Sequence, residues 1–304
     1  MALLIDQPRW AAHGTRFAHL ISDTSLSQLW RFARDQGLPD RAFDHDHFDV
    51  REDHHAALVA AGAQVVDSAH LARRLRTAGL RVDRADRLPS RARAVAQLRG
   101  AWQELMPTNP ELGERLIARW SEPHRHYHDT RHLVQMLTAL ALLSDEVPVA
   151  VRLAAWFHDA VYRGEPGTDE TASAALAEAE LSAAQFPRGQ FSRTRLTTAT
   201  VAEVARLVLL TIDHQPEPRD ESGVLLVDAD LSILGQRPGR YFMYLNGVRA
   251  EYENLSEQSF KMARMGVVGA LLSQQALYRS QRAQHLWLDQ ARENLLSEET
   301  HWRG

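Results

Sequence analysis

Cysteine is absent from the 304 residues, which removes disulfides, thiolate metal sites and a cysteine nucleophile from consideration. Its absence fits a reducing cytosol, and a soluble, cytoplasmic protein is the expectation. Lysine is almost missing as well: Lys261 is the only one, so the cationic side chains are nearly all arginine. With abundant alanine, this reads as genome composition rather than function. No apolar run reaches the roughly 20 residues that span a bilayer, and the N-terminus lacks a basic-then-apolar signal pattern. No membrane partner is therefore expected. An excess of positive charge is lacking too. The formal net charge is −4 and the pI about 6.4, so there is no strong case for nucleic acid as a partner. The nine arginines between Arg73 and Arg99 are interrupted by two acids and read as a solvated linker or helix face.

What the chain has in quantity is histidine, 15 residues, and the question is whether any of them converge. The first part has mixed α/β texture. "ALLID" (2–6) and "AQVV" (63–66) read as short strands. "TSLSQLWRFARDQG" has Thr24 or Ser25 to cap a helix, Leu26, Leu29 and Phe32 at helical spacing, and Gly37 as a stop. Helices ending at Gly62 and Gly79 follow in the same style, which favours a small parallel or mixed sheet covered by helices. From about residue 90 the periodicity is helical throughout, over 91–105, 111–120, 128–143, 148–161, 168–184, 197–213, 223–235, 239–254 and 272–297. The predicted organisation is a multidomain chain, a small N-terminal α/β module over 1–85 followed by an all-α bundle over 90–304, with the boundary in 81–93.

Three helical segments place polar groups among apolar ones. "HRHYHDTRHLVQML" puts His128 and His132 four apart on one face, with His124 a turn earlier. "AAWFHDAVYRG" (154–164) carries His158-Asp159 inside an apolar run, and "GVLLVDADLSILG" carries Asp228 and Asp230. Burying an ionised carboxylate without a partner is very costly. Helices that bring imidazole and carboxylate inward can satisfy one another around a divalent ion. Such ligands suit Zn, Mn, Fe, Co or Ni, with Mg allowed but preferring more oxygen. Because successive helical residues diverge by about 100°, His158 and Asp159 could both ligate only from the edge of a face.

His132, then His158-Asp159, then Asp230 resembles the H…HD…D signature of the HD-superfamily metal-dependent phosphohydrolases. "YHDTRHL" (127–133), "WFHDAVY" (156–162), "DETASA" (169–174) and "DADLSILG" (228–235) are similar to its predicted bacterial branch, over roughly residues 95–300. The resemblance implies an all-α HD-domain helical bundle in which His132, His158, Asp159 and Asp230 hold the metal. Asp228, two residues from Asp230, should point elsewhere, as a cap or a supporting group. Only His214 lies between Asp159 and Asp230, which argues for one ion rather than two. That histidine could touch substrate, hold a weaker second ion, or merely cap a helix.

An ion with open positions polarises a phosphoryl oxygen and lowers the pKa of bound water, and Asp159 would orient that water. Arg131 and Arg163 are the expected phosphate contacts, since guanidinium matches phosphate geometry. His128 and His214 are further substrate-binding candidates, and Glu170 a supporting residue or general acid. The expected activity is hydrolysis of a small phosphorylated substrate, a nucleotide for choice. Two rivals stand beside it: an iron-dependent HD-fold oxygenase or lyase, and a non-catalytic nucleotide or metal sensor. A homo-oligomer is left open.

The N-terminal part has its own cluster, "FDHDHFDV". If 43–50 is extended, His45, His47 and Asp49 share one face, compatible with a metal or phosphate site or with a plain polar surface. His54-His55 follow shortly after, and Asp6, His13 and Asp23 are weaker companions. The region is similar to a small uncharacterised bacterial and phage domain with a "HYD"-like motif, read here as His47-Phe48-Asp49. That likeness implies no activity.

Overall fold

A computed structural model describes residues 2–84, 87–184 and 196–303. The chain forms two compact units. One comprises Met1–Arg87, Gln236–Met243 and Arg303–Gly304, the other Leu88–Gly235 and Tyr244–Trp302. The break at 87/88 falls inside the expected boundary, but 236–243 joins the first unit rather than the helical domain expected over 90–304. The physical reason is aromatic. Phe242 packs 5.8 Å from Trp30 and 5.9 Å from Phe43, ring centroid to centroid, completing a cluster with Phe48.

The first unit is the small α/β module. Its strands are β1 (Leu3–Ile5), β2 (Trp10–Ala12), β3 (Thr15–Ser22), β4 (Phe43–Asp44), β5 (His47–Arg51) and β6 (Gln64–Val65). They form one mixed sheet in the order β4-β5-β3-β1-β6, with β2 paired to the outer part of β3. Only β1 with β6 is parallel; the other pairings are antiparallel. The helices α1 (Leu26–Asp35), α2 (Glu52–Ala60) and α3 (Ser68–Thr77) all pack against β3. Ser25 caps α1 through its hydroxyl, and Gly37, Gly62 and Gly79 take positive φ where the helices stop, as the spacing predicts. Two hairpins were hidden in the sequence. His13-Gly14 joins β2 to β3 with both residues at positive φ, and His45-Asp46 joins β4 to β5 with His45 at φ 61. The expected extended run over 43–50 is therefore broken at its centre, and His45 leaves the face of His47 and Asp49.

The second unit contains no strand among its described residues. Its helices are α4 (Arg91–Leu105), α5 (Pro110–Trp120), α6 (Thr130–Leu143), α7 (Val149–Phe157), α8 (Thr168–Ala184), α9 (Thr198–Leu210), α10 (Glu221–Asp230), α11 (Pro238–Glu251), α12 (Glu257–Ser273) and α13 (Gln281–Arg303). Only the C-terminal part of α11 belongs to it. Periodicity missed α12 and ran α13 back to residue 272. The chain actually breaks over 274–280, where buried Asp228 accepts the amides of Arg279 and Ser280 at 2.9 and 2.8 Å and anchors the entry to α13. Trp120 and Trp156 lie fully buried at the centre, tied by a bond from Trp120 Nε1 to the Trp156 carbonyl at 3.0 Å. Gly113 in α5 sits against the Trp102 indole, where a Cβ would have no room. No helix of the described residues is long and apolar enough to cross a membrane.

Candidate metal centre

Three elements of the second unit deliver the predicted ligands, and each does so from a terminus. Asp129 caps α6, accepting from the Arg131 amide at 2.8 Å, so His132 lies in the first turn of that helix. Helix α7 ends at Phe157 rather than running through 161, because the His158 amide closes the last helical bond to Ala154 and Asp159 lies beyond it. His158 keeps helical dihedrals as the last capping residue, φ −55 and ψ −39, and Asp159 follows it beyond the helix, so both lie at the end of α7. Asp230 is the last residue of α10.

The four side chains meet. His132 Nε2 lies 3.2 Å from His158 Nε2 and 3.2 Å from Asp230 Oδ1, and His158 Nε2 lies 3.1 Å from Asp159 Oδ2. Two further separations are 3.9 Å between His132 and Asp159 and 3.7 Å between His158 and Asp230. Two atoms each about 2.1 Å from one ion stand roughly 3.0–3.4 Å apart at octahedral to tetrahedral angles. Three of these pairs have that spacing, and ligand atoms of His132, His158 and Asp159 all lie within 4.8 Å of one another, with Asp230 joining the set through the two histidines. Both imidazoles are almost fully buried, while the Asp159 and Asp230 side chains keep 14% and 13% of their surface and so border open space.

The imidazoles and carboxylates of the cluster shift one another's titration strongly. His158 Nδ1 donates to the Ala155 carbonyl at 3.0 Å, which turns Nε2 toward the cluster. Burial opposes a charge on His158, yet Asp159 and Asp230 outweigh it and push the ring up to about 9. Burial likewise opposes ionisation of Asp159 and Asp230, and the facing histidines hold both carboxyls far below the usual range. Without an ion, protons on imidazole must neutralise the carboxylates. A divalent cation does the same with all four groups as ligands.

The surroundings fix this geometry. Fully buried Arg125 donates to the carbonyls of His128 at 3.0 Å and Asp159 at 2.8 Å, holding the chain as it leaves α7. Its guanidinium also lies over the rings of Trp120 and Tyr162. Glu251, at the end of α11, accepts the amides of His126, Tyr127 and His128 on one oxygen at 2.7–2.8 Å. Its other oxygen accepts from His128 Nδ1 at 2.7 Å and Tyr162 Oη at 3.0 Å. Burial works against the charge, but these donors hold Glu251 down to about 2. His128 is raised in turn: Glu251 overcomes the cost of burying its cation. Sequence reading missed both residues. Arg125 sat unmarked among the histidines, and Glu251 lies more than 120 positions from the His126–His128 segment it binds.

A cleft of about 260 Å³ opens beside the cluster, lined by His128, Asp159, Tyr162, Glu170, His214 and Asp230 among others. This is near the lower end of small-molecule sites. His128 precedes α6, so it does not share a helix face with His132, yet it reaches the cleft. His214 Nε2 bonds to Asp230 Oδ2 at 2.9 Å and so steadies that carboxylate as well as lining the cleft. Glu170 lines it too, with one oxygen accepting the Gly167 amide at 2.5 Å, while Asp169 accepts the amides of Arg163 and Glu165. Asp228 faces away, at the entry to α13.

Arg131 and Arg163 are corrected. The Arg131 guanidinium is taken by Asp129 and the His126 carbonyl, and Arg163 is exposed outside the lining. No arginine or lysine lines the cleft among the described residues. The reason is local: the Asp129 that caps α6 captures the neighbouring guanidinium.

In the first unit, His19 Nδ1 meets Asp6 Oδ2 at 3.1 Å, and His19 and His47 face Asp49 on one side of the sheet. Asp23 instead pairs with Arg74 and accepts the Ala2 amide, and His13 serves the first hairpin turn.

Residues 3–78 match the model of a family described as a protein of unknown function (DUF4031), and 79–304 lie outside that match. No curated protein and no solved structure matches the chain.

Proposed function

We propose that the helical unit is a metal-dependent phosphohydrolase of the HD type, acting on a small phosphorylated metabolite, with a nucleotide as first choice. The observation that carries this reading is the convergence of His132, His158 and Asp159 within 4.8 Å of one another, with Asp230 3.2 Å from His132, beside a cleft. One divalent ion is proposed: Mn, Fe, Co, Ni or Zn, with Mg allowed. When bound it would polarise a phosphoryl oxygen and lower the pKa of its water.

The chain's own residues do the rest. Asp159 borders the cleft and orients the attacking water. His128, held in its cationic form by Glu251, takes the phosphate-binding role first expected of Arg131 and Arg163. Its protonated ring donates to a non-bridging oxygen, with His214 beside it steadying Asp230. Glu170 is the candidate proton donor to the leaving group. Tyr127, Tyr162, Tyr244 and Tyr252 give the cleft aromatic faces that suit a nucleobase.

The lining without arginine or lysine favours a second reading, an iron-dependent oxygenase of the same fold with an uncharged substrate. A screen of phosphorylated metabolites under Mn, Co, Ni and Mg separates them. The phosphohydrolase reading expects inorganic phosphate without oxygen, loss of turnover in His158→Ala and Asp230→Ala, and a KM raised about tenfold in His128→Gln. Oxygen consumption with Fe(II) and no phosphate release from any substrate would support the oxygenase. Tight nucleotide binding with no turnover would support a sensor.

A further inference from the structure

We propose that His19, His47 and Asp49 form a second divalent-metal site, on the sheet of the first unit and independent of the helical centre. Antiparallel pairing sets His19 of β3 opposite Asp49 of β5, and the two-residue alternation of a strand puts His47 on the same face. One ligand atom from each of the three lies within 4.8 Å of those of the other two. Asp49 Oδ1 stands 3.5 Å from His47 Nε2 and 4.0 Å from His19 Nε2, close to the separation that a shared ion imposes.

The second, independent observation is how the rings are held. Each imidazole has a different, fully buried aspartate at its far nitrogen. Asp6 Oδ2 meets His19 Nδ1 at 3.1 Å, and Asp46 Oδ1 meets His47 Nδ1 at 2.6 Å. Both carboxylates are fixed by further donors. Asp6 accepts the His19 amide at 2.6 Å and Ser68 Oγ at 2.6 Å, while Asp46 accepts the Val82 amide at 2.7 Å. A carboxylate on Nδ1 places the proton there and leaves the Nε2 lone pair for a metal, the arrangement that orients and strengthens ligating histidines. Two such carboxylate–histidine pairs aim at one exposed aspartate.

Imidazole and carboxylate together suit Zn, Mn, Fe, Co or Ni. With three protein ligands and Asp49 at the surface, the remaining positions are open to water or an anionic oxygen ligand. His45 is outside the set, because it sits in the hairpin turn with its Nδ1 on Asp44.

The test is a Co(II) titration of the full-length chain, read by visible d–d absorption and by bound cobalt after dialysis. His19→Ala/His47→Ala is expected to bind one equivalent fewer than the parent, whatever the helical centre holds. Asp46→Asn is expected to weaken that equivalent about 10- to 100-fold. Should the double variant fail to fold, Asp49→Asn removes a ligand at nearly constant volume and is expected to lose the same equivalent. Unchanged cobalt stoichiometry and affinity in a folded Asp49→Asn or double variant would overturn the site and leave two His–Asp ion pairs in its place. His158→Ala, run beside them, reports on the helical centre alone.

Discussion

Glu251 accepts five hydrogen bonds with a side chain only 2% exposed, and its charge is what the segment before α6 folds around. Because its folded pKa of about 2 lies below the ordinary 4.5, it contributes stability fully above 4.5 and loses it as pH falls toward 2. That shift corresponds to about 3 kcal/mol. Glu251→Gln is therefore expected to be less stable at neutral pH by a comparable amount and to show a shallower loss below 4.5, measured by urea denaturation across that range. Equal slopes in parent and variant would mean that the carboxylate is not held as described. Such residues explain the limits of sequence reading. His158, Asp159 and Asp230 were legible as candidates because each interrupts an apolar stretch, where an unpaired charge has no cheap explanation, and His132 through its spacing from His128 and its place in the H…HD…D order. Glu251 and Arg125 were not, since each stands among polar neighbours, and His19, though set in the apolar run of β3, gains its meaning only from Asp6 and from Asp49 on a neighbouring strand.

At the scale of elements, the centre depends on where helices stop. Periodicity placed α6, α7 and α10 well and their ends poorly, because capping is decided by side chains such as Asp129 and by tertiary donors such as Arg125. The termination of α7 at Phe157 places His158-Asp159 at a helix end, with His158 Nε2 3.1 Å from Asp159 Oδ2. Asp228 and Asp230 make the same point, two residues apart on α10 with separate duties. Asp228→Ala leaves the amides of Arg279 and Ser280 without their acceptor and is expected to cost about 1–2 kcal/mol while retaining bound metal. Asp230→Ala is expected to lose metal, and also some apo-protein stability at neutral pH, because the carboxylate that faces His132, His158 and His214 is gone. Denaturation melts and metal analysis of the two variants, run in parallel, check this; metal loss in Asp228→Ala would merge the two roles. The hairpins of the first unit were unreadable for a related reason: His13-Gly14 and His45-Asp46 are not the usual Asn-Gly signal, though they make the same reversal.

Over the whole molecule, the division into an α/β module and a helical part was legible from texture alone, whereas the allegiance of 236–243 was not. That segment joins the first unit through Phe242 on Trp30 and Phe43, a contact no local pattern announces. The two units carry separate histidine–aspartate clusters, so metal counts must be read variant by variant. The central claim is the helical one, and diffraction tests it most directly. Crystals grown with Mn(II) and measured at an energy where manganese scatters anomalously are expected to show a peak about 2.0–2.2 Å from His132 Nε2, His158 Nε2, Asp159 Oδ2 and Asp230 Oδ1. No peak there, with His132 bonded directly to His158 or Asp230, would contradict the account.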